Sequence, residues 1–122
     1  MITGVHTMLY TSEPEALRAF LRDKLGFAAT DVGDGWLVFA LPGAEMGCHP
    51  SESQSGQVIP SGTHQISFMC DDIEATVAEL KARGVQFTGG IEDPGYGLAT
   101  HFEAPGGLVL ELYQPSYELG TG

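Results

Sequence analysis

One phrase of this sequence is written twice. HTMLYTSEPEALRAFLRDKLGF begins at His6, and HQISFMCDDIEATVAELKARGV begins at His64. Each reads as a strand opened by a histidine, a capped amphipathic helix and a glycine stop. The two histidines, and likewise Gly26 and Gly84, are 58 positions apart. A repeat of that length in a chain of 122 residues restricts the fold to two similar halves. It also makes the place where they meet the natural place for a site.

The bulk properties limit the function classes. The sequence is 43% apolar, enough for one domain, residues 1–122, to bury a core without disulfides. A net charge of −11 with only five Lys and Arg leaves no basic patch for nucleic acid or an anionic membrane. Cys48 and Cys70 lie in apolar, strand-like runs and make no disulfide framework, so buried free thiols in a reducing cytosol are expected. No apolar run approaches the roughly 18 residues of a membrane span. No basic stretch followed by an apolar one signals secretion, so a cytoplasmic protein is expected.

Turn chemistry divides the chain. Residues 4–50 form a first module: a strand in GVHTMLY, a helix with Ser12 as N-cap and Glu15 completing a capping box, then the strand pair GWLVFAL and AEMGCH. Leu17, Phe20, Leu21 and Leu25 recur at helical spacing before the Gly26 stop. Asp34-Gly35 and Pro42-Gly43 supply the turns. Residues 51–62, rich in Ser, Gly and Pro, read as a linker. The second module, 63–115, repeats the order: HQISFMC, a helix capped by Asp71 or Asp72 with Ile73, Val77 and Leu80 on one face, the short VQF, then LATHFEA and LVLELYQP joined by Pro105-Gly106-Gly107. Residues 116–122 are a tail. The fold class is therefore α+β: two βαβββ modules, paired ferredoxin-like units, whose strands form a curved mixed sheet lining a cleft with the helices outside.

Over residues 4–115 the sequence resembles the vicinal oxygen chelate superfamily of glyoxalases, bleomycin-resistance proteins and extradiol dioxygenases. The resemblance rests on HTMLY followed by Leu25-Gly26-Phe27, on DDIEATVAELKARGVQF and on the closing APGGLVLELYQP. It implies one divalent metal (Ni, Zn, Mn or Fe) in the inter-module cleft, with ligands from the first and last strand of each module, and modules paired across a homodimer.

The residues themselves bear on that site. Strand alternation puts Leu108, Leu110 and Leu112 on one face of LVLELY and Glu111 with Tyr113 on the other. The leucines pack on a helix, so Glu111 points into the cleft, at the family's acidic ligand position, where it can also move a proton as the catalytic group. His6 matches the family's first ligand. His64 is its twin by the repeat, yet Gln65 shares a face with Ser67 and Met69, which read as cleft lining; a one-residue shift reverses the face, and both alternatives stand. Glu45 and His49 are alternatives for a fourth ligand. Trp36, Tyr96, His101 and Tyr113 are candidates to contact a substrate. No Lys or Arg is clearly cleft-facing, which disfavours phosphonate or glutathione-like substrates.

Two functions from different classes follow from the resemblance. One is a metal-dependent lyase, isomerase or oxygenase acting on a small organic substrate. The other is a metal-free protein of the bleomycin-resistance type that sequesters a planar or hydrophobic ligand. A scaffold with no ligand is the default third.

Overall fold

Among the described residues, the second repeat holds the larger sheet. In the computed structural model, which describes residues 1, 6–45, 47, 48, 50–52 and 55–118, the order is α1 (Pro14–Asp23), β1 (Ala28–Asp31), β2 (Leu37–Ala40), β3 (Ser67–Met69), α2 (Ile73–Ala82), β4 (Gly97–Ala104) and β5 (Leu108–Pro115). A three-stranded mixed sheet has the order β3-β5-β4, and β1-β2 is a separate hairpin. β3 runs parallel to β5, β4 antiparallel to it, and Phe87 of VQF bridges Phe102 on the outer side of β4. The second module thus keeps the βαβββ order, its second strand reduced to one bridge.

The first module differs from the expectation. Leu37–Ala40 pairs backwards with Ala28–Asp31, through a turn with positive φ at Asp34 (52°) and Gly35 (81°). Among the described residues it does not pair forwards with those of AEMGCH. β1 is invisible to pattern reading because AATD is short and has no apolar alternation. Residues 6–10, expected as a strand, follow irregular backbone, as do residues 44, 45, 47 and 48. Residues 2–5, Met46 and His49 lie outside the described residues.

The two helices start differently. In α2, Asp72 is the N-cap and its carboxylate accepts from the Ala75 amide at 3.1 Å. In α1 the Ser12–Glu15 capping box does not form. Pro14 occupies the first turn, the N-cap falls on Glu13, and no side chain caps it. Pro14's fixed φ sets the start one residue later, so Glu15 is out of register. The Thr11 hydroxyl instead accepts from the Glu13 amide at 3.2 Å, and the Glu13 carboxylate accepts from the Gly106 amide at 2.8 Å.

Both helices cover the same face of the three-stranded sheet. Leu17 and Leu21 of α1 join Ile73 and Leu80 of α2 over Phe102, Leu110 and Leu112 in one core. Phe102 is 0% exposed and stands among Phe20, Phe68 and Phe87, with ring centroids 6.3, 6.5 and 5.7 Å away. The helix ends are cross-tied. Lys24 Nζ donates to the Arg83 carbonyl at 2.6 Å, and the Arg83 guanidinium donates to the Lys24 carbonyl at 3.0 Å. Each cation thereby meets the negative end of the other helix.

The cysteines correct one expectation. Cys48 is exposed, on irregular backbone. Cys70 is half-buried, and burial raises its thiol above the ordinary value. No helix among the described residues is long and apolar enough to cross a membrane.

Candidate functional site

With one sheet face under the helices, the other is left to the chemistry. Strand registry arranges it in rows. Ser67, Glu111 and His101 lie side by side on β3, β5 and β4. The next row holds Met69, Tyr113 and Ala99. It is extended by Glu92, which exchanges two backbone hydrogen bonds with Ala99 at 2.8 and 2.9 Å.

Glu111 is the hub of the first row. Its Oε1 accepts from the Ser67 hydroxyl at 2.8 Å. Its Oε2 lies 3.2 Å from His101 Nε2 and 3.5 Å from the Gln65 amide nitrogen, the latter at the limit of a hydrogen bond. The Glu111 side chain is 18% exposed and that of His101 49%. Gln65 is therefore the member of the His64/Gln65 pair that reaches the Glu111 carboxylate.

The second row supplies an aromatic wall. The Tyr113 hydroxyl donates to the Tyr96 carbonyl at 3.1 Å, and their rings are 5.8 Å apart. The Ser116 amide donates to the same carbonyl at 3.1 Å, so Tyr96 is held from two sides. Gly97 makes this possible, since a Cβ there would run into the Gln114 carbonyl and the Tyr113 ring. Beyond Tyr113, Tyr117 lies at 6.4 Å between centroids and donates to Glu45 at 2.5 Å. That carboxylate acceptor holds the Tyr117 phenol above the ordinary tyrosine value.

Between the rows and the loop that precedes β4 is a cavity of about 360 Å³, lined by Thr88, Gly89, Gly90, Glu92, Pro94, Tyr96, Ala99, His101 and Glu111. The loop is pinned. The Thr88 amide donates to the His101 carbonyl at 2.9 Å, and the Gly95 amide to the Asp93 carboxylate at 2.8 Å. The volume falls within the range of about 300–1,000 Å³ usual for small-molecule sites.

This α+β sheet face agrees with the sequence profile that matches residues 4–112, that of the Glyoxalase/Bleomycin resistance protein/Dioxygenase superfamily. The chain belongs to that superfamily. Among solved structures of the superfamily's fold, TnmS3, an antibiotic binding protein from Streptomyces sp. CB03234, is 26% identical with a TM-score of 0.63, covering 95% of this chain and 100% of that one. A superfamily member from Sphaerobacter thermophilus DSM 20745 is 30% identical with a TM-score of 0.59, covering 93% and 98%. Lactoylglutathione lyase from Agrobacterium tumefaciens, 20% identical with a TM-score of 0.57 over 88% and 90%, shares the fold. No curated protein sequence matches significantly.

The metal that the superfamily resemblance implies is tested by the donors present. Around Glu111 stand one imidazole, one amide and one hydroxyl. Among the described residues no three His, Cys, Asp or Glu side chains converge to hold a metal ion. Two His and a carboxylate are the usual minimum for an open catalytic site. The described donors of one chain do not fit the group.

The other sequence candidates are placed as follows. His6 and His64 are exposed. Glu45 is engaged by Tyr117, and His49 lies outside the described residues. Trp36 sits at the hairpin turn with the Arg18 guanidinium 4.6 Å above its ring, and it does not line the cavity. Tyr96, His101 and Glu111 line it; Tyr113 and Gln65 support those residues from beside. Glu92 escaped sequence reading. Its signal is the Asp93-Pro94-Gly95 turn, which folds Glu92 back beside Ala99.

Proposed function

We propose that the chain is a small-molecule binding protein that holds an organic ligand in the Glu111–Tyr96 hollow without a metal, and that it works as a homodimer. The observation that carries this reading is the state of Glu111. Its oxygens already meet Ser67, His101 and Gln65, so the carboxylate borders the hollow as part of a protein hydrogen-bond network and, among the described residues, not within a converging set of metal donors. The hollow has few convergent polar groups and an aromatic wall, as small-molecule sites do. A relative at 26% identity over nearly the whole chain is an antibiotic binding protein. The homodimer reading is supported by the uncovered sheet face, where Met69 and Val109 are 43% and 56% exposed.

The test is a thermal melt with and without metal, followed by calorimetric titration of planar organic compounds. Ni, Zn, Mn or Fe(II) leaves the melting midpoint unchanged. A bound ligand at a hundred times its Kd stabilises the fold by about 2.7 kcal/mol. A metal-induced rise in midpoint that Glu111→Gln abolishes overturns the metal-free reading in favour of a metal-dependent enzyme.

A further inference from the structure

We infer that the hollow selects planar aromatic cations, with Glu111 and Glu92 as the two charge-selecting residues and Tyr96 as the ring platform. This rests on the ligand-binding reading above and assigns its chemical class. Two carboxylates line the cavity, Glu92 and Glu111. Their strands are two spacings apart and their rows two residues apart, which places their Cα atoms about 12 Å from each other across the small Ala99 floor. None of the chain's five Lys and Arg answers them. Arg18 lies over Trp36, Arg22 pairs with Asp23, Lys24 ties to the Arg83 carbonyl, Lys81 lies 5.9 Å from the Phe87 ring, and Arg83 pairs with Glu79. His101 is the one basic side chain that lines the cavity. Glu92 is exposed and stays solvated beside a neutral ligand, whereas a cation in the cavity gains attraction to both carboxylates that water screens only in part.

The platform supplies the shape preference. Tyr96 is 58% exposed, and its carbonyl accepts from the Tyr113 hydroxyl and the Ser116 amide, which fixes the backbone that carries its ring. A cation over a tyrosine face is attracted by the ring quadrupole as well as by the carboxylates. Ala99, Gly89 and Gly90 line the same cavity with little or no side chain, which leaves room for a ring system beside Tyr96. The overall net charge of −11 adds long-range steering of the same sign.

The test is calorimetric titration of three flat probes of similar size: N-methylacridinium (cation), acridone (neutral) and 9-anthracenecarboxylate (anion). The cation binds at least tenfold more tightly than acridone, and the anion more weakly than either. Glu111→Gln and, separately, the exposed Glu92→Gln each cut that preference several-fold, while Tyr96→Ala weakens cation and neutral probe alike. Equal binding of cation and neutral probe, or a preference unmoved in both Gln variants, overturns the cation assignment and leaves the binding reading in place. If none of the three probes binds to the folded protein, both the binding reading and this assignment fall. Because Glu92 has no part in the core, its variant keeps the comparison decisive should Glu111→Gln fail to fold.

Discussion

Gly106 is the residue where the two halves of the sequence press hardest on each other. Its φ is 91°, and a Cβ there would collide with the Thr11 hydroxyl. Its amide is held by Glu13, while the Thr11 hydroxyl donates to the neighbouring Pro105 carbonyl at 3.2 Å. An alanine here meets both the left-handed backbone penalty and the clash, so Gly106→Ala destabilises by about 2 kcal/mol or more. The check is the urea midpoint of the single variant against Gly106→Ala combined with Thr11→Ala. The double variant recovers the steric part and not the backbone part, so a double variant no more stable than the single one contradicts the collision. Sequence alone marks Pro105-Gly106-Gly107 as a turn but cannot name Thr11 as its partner, because the two lie 94 positions apart. Glu111 was legible for the opposite reason. Its environment is set by its immediate neighbours, Leu110 and Leu112, whose burial at 4% each forces the intervening side chain to the other face.

At the scale of elements, the two copies of the repeat begin their helices by different means, and the difference is measurable. Asp72 satisfies an orphan amide of α2 with its own carboxylate, so Asp72→Ala costs about 1 kcal/mol. Ser12, which the sequence offers as the equivalent cap, caps nothing, and Ser12→Ala changes stability by less than about 0.5 kcal/mol. Chemical denaturation of both variants decides the matter; comparable losses would restore the symmetric capping that the repeat suggests. The helices and their buried faces were readable because a 3.6-residue period is a strong local signal. Of the first module's strands only GWLVFAL was readable, as β2 (Leu37–Ala40); its partner was not. AEMGCH has apolar and polar residues in alternation, yet whether a strand forms depends on what pairs with it. GWLVFAL takes its partner from AATD, a segment with no pattern to advertise it. Register at His64/Gln65 was undecidable for the same reason: only the pairing of Ser67 with Glu111 sets which of the two neighbours reaches the carboxylate.

At the scale of the whole molecule, the two helices occupy one side of a sheet that has two. On the open side Met69, Val109 and Tyr96 are exposed, and Met8 and Tyr10, at the end of the segment opened by His6, are 50% and 87% exposed. Isolated apolar side chains on a surface need no explanation, but Met69 and Val109, exposed on one sheet face beside the hollow, mark a place for covering. In the homodimer proposed above, a second copy covers that face and closes the open side of the hollow. Sedimentation equilibrium then gives twice the 12.9 kDa of one chain, and Val109→Lys with Met69→Lys, which put charges on the covered face, return it to one. The proposed dimer couples ligand binding to that equilibrium: in the split variant the acridinium probe meets only the lining of one chain, and its affinity falls at least tenfold, about 1.4 kcal/mol. A variant that is monomeric by sedimentation yet binds the acridinium probe as tightly as the parent shows that one chain builds the whole site, and the dimer then has no part in recognition.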